Sequence, residues 1–202
     1  MNLLKSSGRE NMESSGVKLY VRYMVCLRCK MLVKSELEKL GIQYSVTLKG
    51  GIEFPDGISH EQRDKLKKNL QKHGLYLLDE SESLLIDKII DTIIEVIHHT
   101  DRLPKICYNE LIHKKMGRNS ESILRIFSEV TGVSITQFII DQKIDRAKEL
   151  LLYYDLAPAE ISKKLNYSNK NLFIAQFKKF TGLTPSYFME VKNKRFNKAA
   201  NQ

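Results

Sequence analysis

The stretch from Arg146 to Phe188 constrains the fold of this chain more than any other, because its residues predict where successive helices begin and end. It reads RAKELLLYYDLAPAEISKKLNYSNKNLFIAQFKKFTGLTPSYF. Pro158 suits a first helical position, where its missing N–H costs nothing. Asn166 tolerates the left-handed conformation of a tight turn, and Asn169 can cap the following helix. The stretch is therefore predicted to form a long helix, a short helix, a turn and a second short helix.

The spacing of apolar residues gives both short helices a buried face. Ile161 and Leu165 form the apolar face of the first helix. Phe173, Phe177 and Phe180 are separated by four and three residues and predict a buried stripe on the second. Polar residues occupy its other faces, namely Lys170, Asn171, Lys178 and Lys179. This pattern is that of a helix-turn-helix.

The end of the stretch resembles the second helix-turn-helix of the AraC family of bacterial transcription regulators, which reads roughly GFxxxxxFxxxFKKxxGxTPxxYR. The sequence here is NYSNKNLFIAQFKKFTGLTPSYFM, and FKKFTGLTPSYF is its specific part. Gly182 is expected to end a helix, Thr184 to cap the next and Pro185 to open it. The resemblance implies an all-α domain with two helix-turn-helix motifs joined by a long helix, and a sequence-specific DNA-binding regulator.

Several positions depart from the AraC pattern. Ala157 and Pro158 replace the usual Ser-Ile pair, so a side-chain cap worth about 1 kcal/mol is missing. Asn166 replaces a glycine and Met189 replaces the closing arginine. Ala175 stands where many members carry an arginine that contacts DNA. These departures leave open a protein-binding adaptor that does not bind DNA specifically.

A weaker helix-turn-helix pattern precedes this stretch. Residues Asn109 to Met116 have helical spacing, Gly117 and Arg118 turn the chain, and Asn119 can cap a helix to Val130. By resemblance this is the first helix-turn-helix of the AraC family. A long helix is predicted from Ser134 to about Tyr154, covering roughly 30 Å. Because successive major grooves lie about 34 Å apart, one chain can place both motifs as a monomer or weak dimer.

The resemblance also assigns roles in binding double-stranded DNA. Base readout would fall to Ser120, Glu121, Leu124 and Arg125 in the first motif, with Asn119 at the groove, and to Lys170, Asn171 and Ile174 in the second. Contacts to phosphate would fall to Arg118, Lys163, Lys164, Lys178 and Lys179. Residues 101–202 contain 18 basic and 10 acidic residues within a chain of net charge +9. That excess is typical of a nucleic-acid binder, although an ordinary solvated surface can carry it too.

The first part of the chain alternates strand and helix patterns. Strands are predicted at 17–23, 44–48, 52–54 and 75–78, and helices at 30–40 and 59–73, with Met31, Val33, Leu37 and Leu40 near helical spacing on the first helix. The order βαββαβ is the ferredoxin-like plan. The predicted fold class is therefore α+β, with a tail at 1–16, a ferredoxin-like domain at 17–80, an AraC-type domain at 81–195 and a tail at 196–202.

Cys26 and Cys29 lie between the first predicted strand and helix, in the sequence MVCLRC. Together with the element order, this loop resembles the MxCxxC loop of the heavy-metal-associated domain, which binds soft ions such as Cu(I). Thiolates three residues apart at a helix start can face one ion. Tyr23 replaces the glycine that precedes Met24 in that family, and Met31 follows where a small residue is common. A metal sensor, a metal carrier and inert cysteines on a protein-binding module all remain possible.

The remaining features narrow the function classes. No apolar run approaches the ~18 residues of a membrane span, and the first 16 residues lack a signal-peptide core, so a cytoplasmic protein is expected. A helix that is apolar on two faces is predicted from Leu84 to Ile97. These faces would be covered in the domain core or in a dimer interface. The sequence contains no paired carboxylates, nucleophile with a base, or phosphate-binding loop, so we do not expect an enzyme.

Overall fold

The computed structural model describes residues 16–47, 50–100, 103, 110 and 120–200, except the side chains of Ser120 and of 195–200. The chain divides into two compact units, one ending at Leu84 and the other beginning at Leu85. No single helix among the described residues has the length and apolar content to cross a membrane. Taken together, the described helices Glu121–Thr131 and Ile135–Tyr153 have that length and apolar content, but a bend of 58° separates them.

The strands of the first unit are short and antiparallel. They are β1 (Val17–Leu19), β2 (Val21–Arg22), β3 (Ser45–Val46), β4 (Ile52–Phe54) and β5 (Tyr76–Leu77). β4 lies between β1 and β3, and β2 pairs with β5. The predicted first strand is interrupted at Tyr20, whose N–H donates to Ser83 Oγ at 3.2 Å and whose carbonyl accepts from the Leu78 N–H at 2.9 Å. These bonds shift the second half of the strand to a different partner.

Two helices, α1 (Leu27–Lys39) and α2 (His60–Gln71), belong to this unit. Ser59 and Gln62 form a capping box at the start of α2, with bonds of 3.2 and 3.1 Å. α1 begins three residues before the predicted Lys30, because Cys26 Sγ accepts the Cys29 N–H at 3.4 Å and acts as its cap. The cysteine pair therefore forms the N-terminus of the helix.

Apolar side chains of α1 and α2 form the core of the first unit with the strands. Val33 and Leu37 of α1 and Leu66 and Leu70 of α2 are buried there, against residues such as Leu19, Ile52 and Phe54. Met31, which was grouped with Val33 and Leu37 by helical spacing, is 63% exposed. Glu36 is buried in the helix instead.

The buried Glu36 carboxylate is fully paired. It accepts from Lys39 Nζ at 2.7 Å and from Asn69 Nδ2 at 2.9 Å. The hydrogen bond from Lys39 is the main reason that the pKa of Glu36 lies below its ordinary value of 4.5, against the opposing effect of burial. A polar bridge thus joins α1 to α2 beside the apolar core of the first unit.

Helix α3 (Glu80–His99) begins in the first unit and continues in the second. It starts before the predicted Leu84 because Asp79 Oδ1 accepts the Glu82 N–H at 2.8 Å, which fixes its first turn. Leu84 is exposed, so its assignment to an apolar face is wrong, whereas Ile86, Ile89, Ile90, Ile93 and Ile97 are buried as predicted.

The described helices of the second unit continue with α4 (Ser120–Thr131), α5 (Ile135–Tyr153), α6 (Pro158–Lys164), α7 (Lys170–Thr181) and α8 (Pro185–Ala200). α5 packs against each of the other four. Its buried side chains include Ile139, Ile144 and Leu151. Of the helix predicted at Asn109–Met116 and the turn after it, Glu110 alone lies within the described residues, and it is helical. α5 is therefore the axis about which the described helices of this unit are arranged.

Candidate nucleic-acid interface

The turn between α6 and α7 has the predicted geometry. Pro158 occupies the first turn of α6, and Asn166 adopts φ 51°, which confirms its left-handed conformation. Ala157 provides no side-chain cap, but Glu160 Oε2 accepts its N–H at 2.9 Å. Half of a capping box therefore offsets part of the ~1 kcal/mol that the missing cap costs.

Tyr167 locks this turn in a way that the sequence pattern did not reveal. Its N–H donates to the Ser162 carbonyl at 2.8 Å, and its hydroxyl donates to Gln176 Oε1 at 2.6 Å. Lys143 Nζ of α5 lies 5.2 Å from the centre of its ring. Burial lowers the pKa of Lys143. One side chain thus ties the turn, α7 and α5 together.

The N-terminal cap and the buried face of α7 agree with the sequence-based prediction, except at Phe180. Asn169 Oδ1 accepts the Leu172 N–H at 2.8 Å, which confirms the predicted cap. Phe173 and Phe177 are fully buried. The inclusion of Phe180 in the buried stripe is wrong, since 37% of it is exposed. At 100° per residue Phe180 lies about 60° around the helix from Phe177, and the helix ends one residue later.

The end of α7 is fixed as the motif predicts. Gly182 adopts φ 76°, and its N–H donates to the Lys178 carbonyl at 2.8 Å. Thr184 Oγ1 accepts the Tyr187 N–H at 3.3 Å, and Pro185 opens α8. The edge of the Phe188 ring meets Phe177 with centroids 5.6 Å apart. These contacts hold α8 against the inner face of α7 and leave its outer face open.

The outer face of α7 mixes polar and small apolar groups. Lys170 and Asn171 are exposed in its first turn, whereas Ile174, also predicted to read bases, is half-buried. Ala175 is exposed, and Leu172 is 49% exposed. Leu172 was missed as a surface residue, although its position outside the Phe173 and Phe177 spacing was a usable signal.

Lysines lie around this face, and the described part of the chain gives them no acidic partner. Residues 158–181 contain five lysines and one acid, Glu160. Among the described residues, none of these lysines forms an ion pair: Lys163, Lys164, Lys170, Lys178 and Lys179. All are exposed except the half-buried Lys164.

Three other lysines of the second unit are paired. Lys148 Nζ lies 2.9 Å from Asp145 Oδ1, and Lys194 Nζ lies 2.7 Å from Glu190 Oε1. Lys192 Nζ likewise lies 2.7 Å from an oxygen of Asp155. Within the described residues, α6 and α7 thus carry five lysines without a carboxylate partner.

The first motif presents a smaller described surface, on α4. Ile123, Phe127 and Val130 form its buried face. Glu121 and Arg125 are exposed one turn apart on the opposite side, and Leu124 is half-buried. Arg118, Asn119 and the side chain of Ser120, all predicted to contact DNA, lie outside the description.

Helix α5 connects the two motifs rigidly. Ser134 Oγ caps it by accepting the Gln137 N–H at 3.2 Å. The Phe127 ring of α4 meets Phe138 of α5 edge to face, with centroids 5.5 Å apart. The 19 residues of α5 cover about 28 Å. One helix therefore contacts both exposed faces from behind.

Glu149 on α5 joins this helix to α3. Its carboxylate lies 2.6 Å from Arg146 Nη1 and 3.5 Å from His98 Nδ1. The hydrogen bond from Arg146 is the main cause that lowers the pKa of Glu149. His98 at the end of α3 thus faces a carboxylate of α5.

The structure brings the two N-terminal cysteines together. Cys26 Sγ and Cys29 Sγ lie 3.0 Å apart. The hydrogen bond from the Cys29 thiol lowers the pKa of Cys26, and the same bond raises the pKa of Cys29. The described residues contain no group of three or more His, Cys, Asp or Glu that could hold a metal ion. A site here would therefore have two thiol ligands, which suits a soft ion.

Tyr23, which precedes Met24 at the start of this loop, adopts φ 67°. Such a backbone costs an aromatic residue roughly 1–3 kcal/mol. The Tyr23 ring packs edge to face on Tyr76, with centroids 6.0 Å apart, and this contact offsets part of the cost. The loop therefore has a backbone shape that favours glycine, although tyrosine is present.

Comparison with known proteins supports the interpretation of the second unit. Residues 112–190 match a family model described as a helix-turn-helix domain. The uncharacterized HTH-type transcriptional regulator YtdP of Bacillus subtilis is 32% identical over 104 residues, which is 52% of this chain and 13% of that protein. The HTH-type transcriptional activator RhaR of Salmonella dublin is 29% identical over 133 residues, 64% of this chain and 45% of that protein. The chain thus spans less than half the length of these relatives.

A solved structure of a Chromobacterium violaceum transcriptional regulator, described as containing an AraC-type DNA-binding domain, is 13% identical with a TM-score of 0.48. The match covers 56% of this chain and 96% of that chain. The relatives in sequence are transcription regulators, a class that is generally not enzymatic. Residues 112–190 therefore match a helix-turn-helix domain, and the described elements within this range are all α-helices.

Proposed function

We propose that this chain is a transcription regulator that binds specific sites on double-stranded DNA through α4 and α7. The observation that carries the proposal is the set of lysines on α6 and α7 that have no carboxylate partner among the described residues. Lysines that face solvent without carboxylates retain their full attraction for phosphate. Paired lysines elsewhere in the unit supply an internal contrast.

Backbone and base contacts would fall to different parts of this surface. Lys163 and Lys164 on α6 and Lys178 and Lys179 at the end of α7 would hold phosphates, which set orientation but carry no sequence information. The first two turns of α7 would enter the major groove. There Asn171 can make paired hydrogen bonds to adenine, and the exposed Leu172 and Ala175 can contact the methyl group of thymine. The loss of an arginine at 175 would thus change base preference.

The first motif would add a second set of base contacts. Arg125 is exposed on α4, and no ion pair with another described residue restrains it. Arginine forms paired hydrogen bonds to guanine in the major groove. Because α5 is about 28 Å long, α4 and α7 would reach grooves on one side of the duplex, roughly one helical turn apart.

The first unit would serve as a sensor or interaction module with a ferredoxin-like plan. With β1 and β2 counted as one interrupted strand, its spatial order is β3, β4, β1 with β2, then β5. A ferredoxin-like sheet built from βαββαβ elements has the same spatial order of strands. The two helices supply the remaining elements of the plan.

A soft metal ion such as Cu(I) is a candidate ligand of this unit if it acts as a sensor or as a metal carrier. It is favoured by the 3.0 Å separation of Cys26 Sγ and Cys29 Sγ and by the lowered pKa of Cys26. Both thiols would hold the ion as thiolates. In a sensor, bound metal would change DNA affinity. In a carrier it would not, so Cys26→Ser and Cys29→Ser variants separate the two roles.

Selection of duplexes from a fragmented bacterial genome tests the DNA-binding proposal. Reduced protein would be incubated with the pool alone, with Cu(I) or with Zn(II), and the retained fragments sequenced. Enrichment of a shared sequence motif without metal is expected. A retained pool that matches the input in sequence, or no salt-dependent retention of duplex, would instead favour an adaptor that binds protein.

A further inference from the structure

An apolar groove runs along the first unit between helix α1 and the edge strand β3. Its volume is about 230 Å³. Buried side chains form its floor, among them Met24, Val33, Leu37 and Ile52. None of these floor residues is polar, so an occupant gains free energy by covering them with apolar groups.

The walls of the groove hold large apolar side chains that the fold does not cover. Leu27 is 74% exposed, Met31 is 63% exposed and Val46 is 59% exposed. Single exposed apolar residues are ordinary, but a cluster around one groove marks an interaction surface. Leu27 and Met31 lie one turn apart on α1, so they form a continuous wall facing β3. The groove and its walls therefore suit an apolar stripe rather than a point contact.

The charged rim of the groove is positive. Lys30 and Lys34 line it from α1, one turn apart. The first eight residues of α1, LRCKMLVK, contain three cations and no acid. Of the two acids in the rest of α1, Glu36 is buried against Lys39, and Glu38 lies 3.7 Å from Lys34. An occupant with carboxylates beside its apolar stripe would complement this rim.

The edge strand argues against an extended occupant. β3 consists of Ser45 and Val46 only, and within the described residues it pairs only with β4. A two-residue edge offers too few backbone groups to template an added strand. A helix laid along α1 needs none of them and presents apolar residues at the spacing of Leu27 and Met31.

We propose that this groove binds an acidic amphipathic helix of a partner protein. Apolar side chains of the helix cover Leu27, Met31 and Val46, and its carboxylates face Lys30 and Lys34. The site is separate from the proposed DNA surface, and the proposal does not depend on DNA binding. It also does not require a metal at the neighbouring cysteines.

A designed peptide tests the proposal on the full chain. The probe is a fluorescein-labelled helix of about fourteen residues, with leucine at i, i+3, i+4 and i+7 and glutamate elsewhere. Fluorescence anisotropy would be measured with reductant and chelator present. Saturable binding in the micromolar range is expected, with at least about tenfold weaker binding when lysine replaces each glutamate. Equal binding of both peptides, or no saturable binding of the acidic one, would overturn the proposal.

Surface variants locate the site. Lys30→Glu with Lys34→Glu, and separately Met31→Ser, are each expected to weaken peptide binding about tenfold, because these side chains are exposed and line the groove. The matched control is Lys67→Glu with Lys68→Glu on α2, which changes net charge equally and should leave binding unchanged. Circular dichroism checks that all variants fold. Equal weakening by the control, or a dimer of the chain that Met31→Ser dissociates, would contradict the proposal.

Discussion

Removal of two unpaired lysines should lower the salt dependence of DNA binding by a defined amount. Lys163 and Lys178 are exposed, and neither has a carboxylate partner among the described residues. Each phosphate contact contributes about 0.9 to the slope of log affinity against log salt. Replacement of both by alanine should therefore reduce the slope by about 1.8. Over a fourfold increase in salt, the variant should lose about twelvefold less affinity than the wild type.

The assay is fluorescence anisotropy of a labelled duplex of random sequence, since this term does not depend on the bases. The titration would be repeated between roughly 50 and 200 mM salt, where the slope is well defined. The full chain would be used for every variant. The binding slope, rather than affinity at one salt concentration, is the quantity compared.

A matched control uses lysines that are already paired. Lys148 and Lys194 form ion pairs with Asp145 and Glu190. Their double alanine variant removes the same two charges from the chain, but it should leave the slope within a few tenths of the wild-type value. Equal slopes for the wild type and the Lys163/Lys178 variant would refute the assignment of phosphate contacts. Equal reductions in both variants would show that only net charge matters.

Three further predictions test other parts of the account. Arg125→Ala should weaken binding to a selected site by about 1–3 kcal/mol and relax preference at one base pair, measured by gel-shift titration; unchanged affinity would exclude its role. Ala175→Arg adds a cation to the outer face of α7 and should raise the salt slope by about one, and an unchanged slope would show that this face does not meet DNA. Glu36→Gln should destabilise the first unit by about 1 kcal/mol at pH 7, measured by urea unfolding. Because the pKa of folded Glu36 lies below its ordinary 4.5, its contribution is present above that pH and lost as pH falls through the folded value; a pH-independent difference would contradict this.

Helix boundaries in the second unit could be predicted because single residues determine them. Asn169 accepts a backbone N–H at a helix start, and Asn166 and Gly182 adopt the left-handed conformation that ends a helix. The structure places all three as the sequence implied. Local chemistry of this kind does not require knowledge of distant contacts. The buried positions of Phe173 and Phe177 followed from periodicity for the same reason.

Errors arose where a distant contact or a helix end decided the outcome. The strand break at Tyr20 depends on Ser83, which lies 63 residues away in sequence. Glu36 is buried because Asn69 on another helix donates to its carboxylate. Such partners cannot be read from the spacing within one helix.

The candidate site shows the same division between local and distant determinants. Exposure of Lys163 and Lys178 followed from their positions away from the apolar stripes. Their lack of carboxylate partners among the described residues could not be predicted, because it depends on where acids of other helices lie. The link from Tyr167 to Gln176 and Lys143 was missed for the same reason. Side chains at 118–120 remain predictions.

The central claim is that one chain places two helix-turn-helix motifs on one face of the duplex. Hydroxyl-radical footprinting of the full protein on a selected duplex tests it most directly, with stoichiometry measured by sedimentation. The account predicts one chain per site and two protected blocks about 10 base pairs apart. Arg125→Ala should weaken one block, and Asn171→Ala should weaken the other. A single block, or two blocks that appear only when two chains bind, would contradict the account.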